Sequence, residues 1–189
     1  MQKDDDKLIE EYLKGDERAF KELFERYKTK LYPYLISLCL DKDLAEDIFQ
    51  ETFVKISEKL PSYKKENKFS SWIFTIARNI FLDKKKSAKE KFLNSSLAFE
   101  NSEDEVSPQD YLSESGNPHS FLEAENKTKA LSAAMGKLSE EQREIIALRH
   151  FAGLSFKEIS ENLNIPIGTA LARFSRGLDK LRESLKDMQ

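Results

Sequence analysis

The sequence predicts an all-α protein built from two small helical domains joined by a flexible acidic linker, the second domain carrying a helix-turn-helix. Three observations lead there. Glycine is scarce, with 6 residues in the whole chain, and apolar residues recur at helical spacing. Charge is segregated: Pro61 to Lys91 holds 9 basic against 3 acidic side chains, whereas Phe92 to Asn126 holds 8 acidic residues and no Lys or Arg. Finally, Gly153–Arg182 encodes two short amphipathic helices separated by a tight turn.

The elements follow in order. Leu8, Ile9, Tyr12 and Leu13 form a short apolar stripe ended by Gly15. Asp16 can cap a second helix whose Phe20, Leu23, Phe24, Tyr27 and Leu31 point inward, and Pro33 marks a kink or restart before Tyr34–Leu40. Asp43 with Glu46 offers a capping arrangement for a third helix ending at Leu60, just before Pro61. On that helix Ile48, Phe49, Thr52, Phe53, Ile56 and Leu60 take the core side, while Asp47, Gln50, Glu51 and Glu58 cluster on the other with no compensating charge nearby in sequence. A polar loop, Ser62–Lys68, carries Tyr63, Lys64, Lys65 and Lys68. A fourth helix then starts near Ser70 or Ser71, with Trp72, Ile73, Ile76, Ala77 and Ile80 inward and Thr75, Arg78, Asn79, Leu82 and Lys86 outward. Lys84, Lys85 and Lys86 trail off its end.

Asn94–His119 is rich in Ser, Asn, Pro and acid and lacks helical periodicity, which suits a linker. The division is therefore 1–92, 93–121 and 122–189. In the last part Ser155 and Glu158 form a capping box, Ile159 and Leu163 supply the buried stripe, and Asn164 with Pro166 places the turn. In the helix that follows, Ala170, Leu171, Phe174, Leu178, Leu181 and Leu185 fall on one face; Thr169, Ala172, Arg173, Arg176 and Lys180 fall on the other.

Composition excludes several classes. Cys39 is a lone cysteine in an apolar run, and His119 and His150 stand apart, so no metal-ligand spacing exists and neither a metal nor a cofactor is expected. No amino-terminal hydrophobic segment and no membrane-length apolar run is present, which points to a cytoplasmic protein in a reducing compartment. A metal-dependent nuclease would need convergent carboxylates, and Asp47 and Glu51 sit on an outward stripe with no paired acid motif, so no enzymatic activity is expected.

What remains is binding. The basic face of the last helix suits a recognition helix in a DNA major groove, and equally the solvated face of a plain helical hairpin. Lysines interleaved with Trp72, Tyr63 and Asn79 suit a single strand, where phosphates meet cations and unstacked bases meet π-faces. Trp72 suits a core anchor as well. The acidic stripe reads either as a solvated face or as a docking surface for a basic partner.

The runs D-L-A-E-D-I-F-Q-E-T-F (Asp43–Phe53), F-S-S-W-I-F-T-I-A-R-N-I-F-L-D (Phe69–Asp83) and L-S-E-E-Q-R-E-I-I-A-L-R (Leu138–Arg149), with the helix-turn-helix after them, resemble bacterial sigma factors of the extracytoplasmic-function type. The resemblance spans both domains in the right order. It implies that the acidic helix docks on the β′ clamp of core RNA polymerase through Asp47, Gln50 and Glu51. It implies that Lys64, Lys65, Lys68, Trp72, Arg78 and Asn79, with Lys85 and Lys86, serve the minus-ten promoter DNA, which is melted. Thr169, Leu171, Ala172, Arg173 and Arg176 would serve the minus-thirty-five element, the linker would lie in the polymerase channel toward RNA exit, and an anti-sigma partner is implied.

One stretch departs from the family pattern. Where members commonly read G-T-V-K-S-R, this chain has Gly168-Thr169-Ala170-Leu171-Ala172-Arg173, so a Lys and a Ser donor are replaced by Leu171 and Ala172. Thymine-methyl contacts, or groove shape with phosphate contacts from Arg173 and Arg176, would replace them. Gly177 stands inside the same helix, about 1 kcal/mol less favourable than Ala there. A stand-alone helix-turn-helix regulator is the alternative reading; it would need a dimerisation surface and a sensor region, for which the chain shows no heptads or ligand pocket.

Overall fold

The computed structural model describes residues 4–64, 68–96 and 133–186. The amino-terminal helices are α1 (Asp5–Leu13), α2 (Glu17–Cys39), α3 (Lys42–Lys59) and α4 (Phe69–Ser96), with a 3-10 turn at Leu60–Ser62. The carboxy-terminal ones are α5 (Glu140–Ala147), continued by a π-helical turn at Leu148–Ala152, then α6 (Phe156–Leu163) and α7 (Ile167–Lys186). Residues 133–136 are also helical, and no strand occurs among the described residues. Lys65 and nearly all of the expected linker lie outside the described residues, while α4 itself runs to Ser96, past the expected boundary at 92.

Helix ends follow side-chain chemistry. Asp16 accepts from the Arg18 N–H at 3.0 Å and starts α2, as the sequence predicts. The cap of α3 is Asp41, not Asp43: its carboxylate accepts from the Leu44 N–H at 3.0 Å. Leu40, held at φ 56° in the left-handed region, turns the chain between α2 and α3, so the first extended residue with a suitable acid is Asp41. Nor does Pro33 restart a helix. α2 is continuous through it, because the apolar face formed by Leu31, Tyr34, Leu35 and Leu38 is fully buried and outweighs one missing N–H. The fourth helix begins at Phe69, slightly earlier than predicted.

Ser155 and Glu158 make the expected capping box, the Glu158 N–H donating to Ser155 Oγ at 3.3 Å and the Ser155 N–H to Glu158 Oε2 at 2.8 Å. Asn164 takes the left-handed C-cap of α6 at φ 52°. Ser160 braces this turn, donating from Oγ to the Ile165 carbonyl at 2.5 Å while its own carbonyl accepts from the Ile165 N–H. A second capping box, Ser139 with Gln142, opens α5.

One apolar core runs through both halves of the chain. Leu8, Leu31, Leu35, Ile48, Ile56 and Ile80 join Ile145, Leu148, Leu154 and Ile159 in a single buried cluster. A satellite cluster of Met135, Leu138, Ile146 and Leu181 secures the carboxy-terminal helices to each other. Phe74 and Phe81, both buried, belong to the main core although neither was assigned to it from sequence. Two residues placed in apolar stripes face outward instead: Leu13 and Leu171 are each 46% exposed. Gly177 has a packing reason. A Cβ there would lie 2.8 Å from Ile146 Cδ1 and 3.2 Å from Gln142 Cβ, so the glycine lets α7 cross α5 closely.

Candidate nucleic-acid and polymerase interface

The basic loop and the start of α4 form one open cleft of about 480 Å³, lined by Tyr63, Lys64, Lys68, Ser71, Trp72 and Thr75 on one side and by Glu161 and Asn162 on the other. Trp72 is half-buried. Its ring stands 5.1 Å from Tyr63 and 5.6 Å from Phe69, and Phe69 in turn packs on the buried Tyr27 at 5.2 Å. The indole is therefore a core anchor and a lining residue of the cleft at once. Tyr63 is tied back by its hydroxyl, which donates to Asp6 Oδ1 at 3.2 Å.

Along α4 the expected cations separate into distinct environments. Asn79 and Lys86 are exposed. Arg78 is not on an open face: its Nε donates to Glu144 Oε1 at 2.7 Å, with the two side chains 21% and 10% exposed. Burial pushes the Glu144 carboxyl up, against the opposing pull of the Arg78 guanidinium. Beside them the Tyr34 hydroxyl is fully buried with no hydrogen-bond partner among the described residues, and burial raises its pKa well above the usual phenol value. Lys85 is bound by Glu140, and Lys68 lies 3.7 Å from Glu161. Asn162 donates from Nδ2 to Thr75 Oγ1 at 2.5 Å and to the Ser71 carbonyl at 3.3 Å, and Ser70 donates to the Ala152 carbonyl at 3.1 Å. These carboxy-terminal partners were not legible from sequence, because pairs 55 to 93 residues apart leave no local period.

The outward face of α3 brings Asp47 and Gln50 into solvent. Glu51, expected to be uncompensated, is paired: Lys55 Nζ lies 3.0 Å and Lys84 Nζ 3.4 Å from its carboxylate, and the hydrogen bond with Lys55 is the largest of the effects that lower its pKa. Only Lys84, which comes from α4, is a spatial correction; Lys55 stands four residues after Glu51, the spacing at which helical ion pairs form, and was there to be read in the sequence. Val54, 57% exposed, stands on the same face at 100° per residue, between the angles of Gln50 and Asp47. That projection could have found it from sequence, had apolar residues been sought there as well as acids.

On the helix-turn-helix, α7 presents Leu171 and Arg176 outward, with Thr169, Ala172 and Arg173 half-exposed beside them. Arg176 Nε donates to the Ala172 carbonyl at 3.2 Å, which lays its guanidinium along the helix. Phe174 faces inward against Phe156 at 5.1 Å, and Arg149 sits over the Phe156 ring at 5.4 Å while donating to the Leu154 carbonyl at 2.8 Å. Among the described residues no group of His, Cys, Asp or Glu is placed to hold a metal, and no helix is long and apolar enough to cross a membrane.

A helix-turn-helix with a basic outer face, together with a helical domain carrying an aromatic and lysine-lined cleft, is the architecture of a nucleic-acid-binding protein. The comparisons make the class specific. Residues 23–91 match Sigma-70 region 2 and residues 128–181 match Sigma-70 region 4. The chain belongs to the sigma-70 family of RNA polymerase sigma factors, and within it to the extracytoplasmic-function (ECF) type. It is 30% identical to the ECF RNA polymerase sigma factor SigW of Bacillus subtilis over 96% of this chain and 97% of that one. It is 27% identical to the ECF RNA polymerase sigma-E factor of Salmonella typhimurium, covering 97% and 95%. Among solved structures it resembles the sigma factor RpoE in complex with the anti-sigma factor NepR from Bartonella quintana, at 28% identity and TM-score 0.69, covering 88% and 96%. The fold is also that of CnrH, solved with the cytosolic domain of CnrY, at 21% identity and TM-score 0.68.

Proposed function

We propose that this ECF sigma factor divides its work between three surfaces. Asp47, Gln50 and Glu51, with Val54 at their centre, dock on the β′ clamp of core RNA polymerase. Lys64, Lys65, Lys68, Trp72, Arg78, Asn79, Lys85 and Lys86 bind and open the minus-ten element. Thr169, Leu171, Ala172, Arg173 and Arg176 bind the minus-thirty-five element, the arginines on phosphates and Leu171 with Ala172 against base edges. The chain directs initiation in the cytoplasm and has no catalysis of its own.

The observation that carries this reading is the face of α3: two solvent-facing polar groups and an exposed valine on a helix whose opposite side is packed into the core. Asp47, Gln50 and Val54 can be changed there without disturbing the core, and removing Glu51 gives up only its partly exposed ion pairs with Lys55 and Lys84. The test is Asp47→Ala with Glu51→Ala, read by size-exclusion binding to purified core polymerase. Truncating groups desolvated at an interface costs about 2–5 kcal/mol, a thirtyfold loss or more. The double variant should keep its helicity and lose holoenzyme formation; undiminished binding would remove the docking role from α3.

An anti-sigma partner is proposed from the likeness to RpoE, which was solved with NepR. A groove of about 970 Å³, lined by Ile36, Leu40, Met135, Phe151, Phe174 and Leu178, runs between α2 and the carboxy-terminal helices and gives such a partner apolar surface on both domains at once.

A further inference from the structure

Residues 167–172, which open α7, carry a single hydrogen-bonding side chain, the Thr169 hydroxyl. Ile167 is 49% and Leu171 46% exposed, a Cβ placed on Gly168 would meet nothing within 4 Å, and Ala172 is half-exposed beside them. Projected at 100° per residue, Gly168 and Ala172 lie opposite the buried Ala170 and Gly177, with Ile167 and Leu171 toward one flank and Thr169, Arg173, Arg176 and Lys180 on the other. We propose that α7 reads its promoter element through the 5-methyl groups of thymines, met by Leu171 and Ile167, while the cations of the opposite flank hold the phosphates. The inference deepens the assignment of α7 to the minus-thirty-five element and rests on it.

The chemistry of the groove selects the base. A recognition helix meets base edges with the residues at its amino-terminal end, and here those are apolar or small. In the major groove the thymine methyl is the one apolar group that a base pair presents; the amino group of cytosine and the two acceptors of guanine need polar partners. Leu171 set against either of those strips water from a polar group and returns no hydrogen bond, which is a penalty, whereas against a methyl it buries apolar surface. With only Gly168 and Ala172 at the centre of the face, no long side chain holds the backbone away from the bases, so Leu171 comes within reach of them.

The polar groups nearby do not replace this readout. Arg176 is drawn back along the helix by the bond from its Nε to the Ala172 carbonyl at 3.2 Å, which suits a phosphate beside the groove better than a base at its floor. Ser175, exposed one turn beyond Leu171, has a hydroxyl that donates and accepts alike and so discriminates weakly between bases. The placing of cations along one flank of the apolar patch is what favours duplex DNA over an apolar protein surface as its occupant: a phosphate strand runs beside the base edges in a groove, and Arg173, Arg176 and Lys180 are set to meet it.

The experiment uses holoenzyme reconstituted from the full chain and purified core polymerase. Duplexes retained from a randomised library long enough to hold both promoter elements should carry thymine, on one strand or the other, within the minus-thirty-five element. One selected duplex is then remade with deoxyuridine in place of each of those thymines in turn, which removes the methyl and leaves every hydrogen-bonding group. Wild-type holoenzyme should bind about fourfold more weakly for each contacted methyl lost, the equivalent of one buried carbon. With Ile167→Ala and Leu171→Ala together, thymine and deoxyuridine duplexes should bind alike; Leu171→Met, which keeps apolar reach, should keep the preference. Equal affinity of the wild type for the thymine duplex and every deoxyuridine duplex would overturn the proposal, and so would a preference for thymine that survives in the double alanine variant. Arg173→Ala with Arg176→Ala separates the two readings. If it weakens binding and flattens the salt dependence while deoxyuridine has no effect, α7 still serves the minus-thirty-five element and the methyl readout alone falls. If neither change alters affinity, α7 does not lie on the DNA and both readings fall.

Discussion

At the scale of single residues, Gly177 shows how a local penalty becomes intelligible only in three dimensions. From sequence it is a helix-weakening residue; in the structure the α5–α7 crossing leaves no space for a methyl group. Two effects oppose each other in Gly177→Ala. Helix propensity favours alanine by about 1 kcal/mol, while overpacking against Ile146 and Gln142 costs about 1–3 kcal/mol. The clash is with the end of the Ile146 side chain at 2.8 Å and with the stiffer Gln142 Cβ at 3.2 Å, so relaxation is partial and destabilisation wins. Urea unfolding should show a net loss of up to about 2 kcal/mol, relieved in part when Ile146→Val removes the atom that clashes. Gly177→Ala more stable than the wild type would show that α5 and α7 cross less closely. Leu171 gives the complementary lesson. Grouping it with Ala170 and Phe174 placed it inside, but it lies at the edge of the apolar arc, and at 46% exposure it is free to meet DNA.

At the scale of elements, the helices were legible wherever a cap and a period agreed. The Ser155–Glu158 box, the Asn164 turn and the Asp16 cap all stand where the sequence puts them. The cap of α3 was misplaced by two residues because Asp41 and Asp43 both satisfy the local pattern, and only the left-handed Leu40 before them decides. The continuity of α2 through Pro33 was not legible, since it depends on burial on both sides of the proline. The Ser155–Glu158 box yields a pH prediction. Its hydrogen bonds to Ser155 hold the Glu158 carboxyl below its usual 4.5. A carboxylate depressed by folding contributes stability above its unfolded pKa, and that contribution is lost as pH falls through the folded value. Ser155→Ala should therefore cost about 0.5–2 kcal/mol at neutral pH, and the gap to the wild type should narrow as pH drops below about 4. Thermal unfolding of both proteins from pH 7 to pH 3 measures it; a gap independent of pH would show that the Glu158 carboxylate plays no part in the cap.

At the scale of the whole molecule, the two domains were legible as separate units and their contact was not. Charge segregation and the acidic stretch after Phe92 divide the chain, but nothing periodic announces that Arg78 will find Glu144 or that Asn162 will reach Thr75. The candidate site was read as an open basic face for the same reason: the carboxylates that meet Lys68, Arg78 and Lys85 lie 55 to 93 residues away along the chain. That contact couples the stability of the halves. With Ile145, Leu148, Leu154 and Ile159 in one core with α2 and α4, the described chain should melt as one cooperative unit, with calorimetric and van't Hoff enthalpies in agreement. Arg78→Ala tests the coupling. It leaves Glu144, 10% exposed, without the cation that offsets its burial. Breaking a fully buried pair costs about 3–5 kcal/mol, and because Arg78 keeps a fifth of its surface in water a smaller loss, about 1–3 kcal/mol, is expected. The domains can escape that loss by separating, which returns Glu144 to solvent. Scanning calorimetry of Arg78→Ala should accordingly resolve two transitions, the one from residues 133–186 moving to lower temperature. Reversal by Arg78→Ala with Glu144→Ala, which removes both charges, would attribute the split to the orphaned carboxylate. A single transition at the wild-type midpoint in the Arg78→Ala protein would mean that the ion pair does not hold the two halves together.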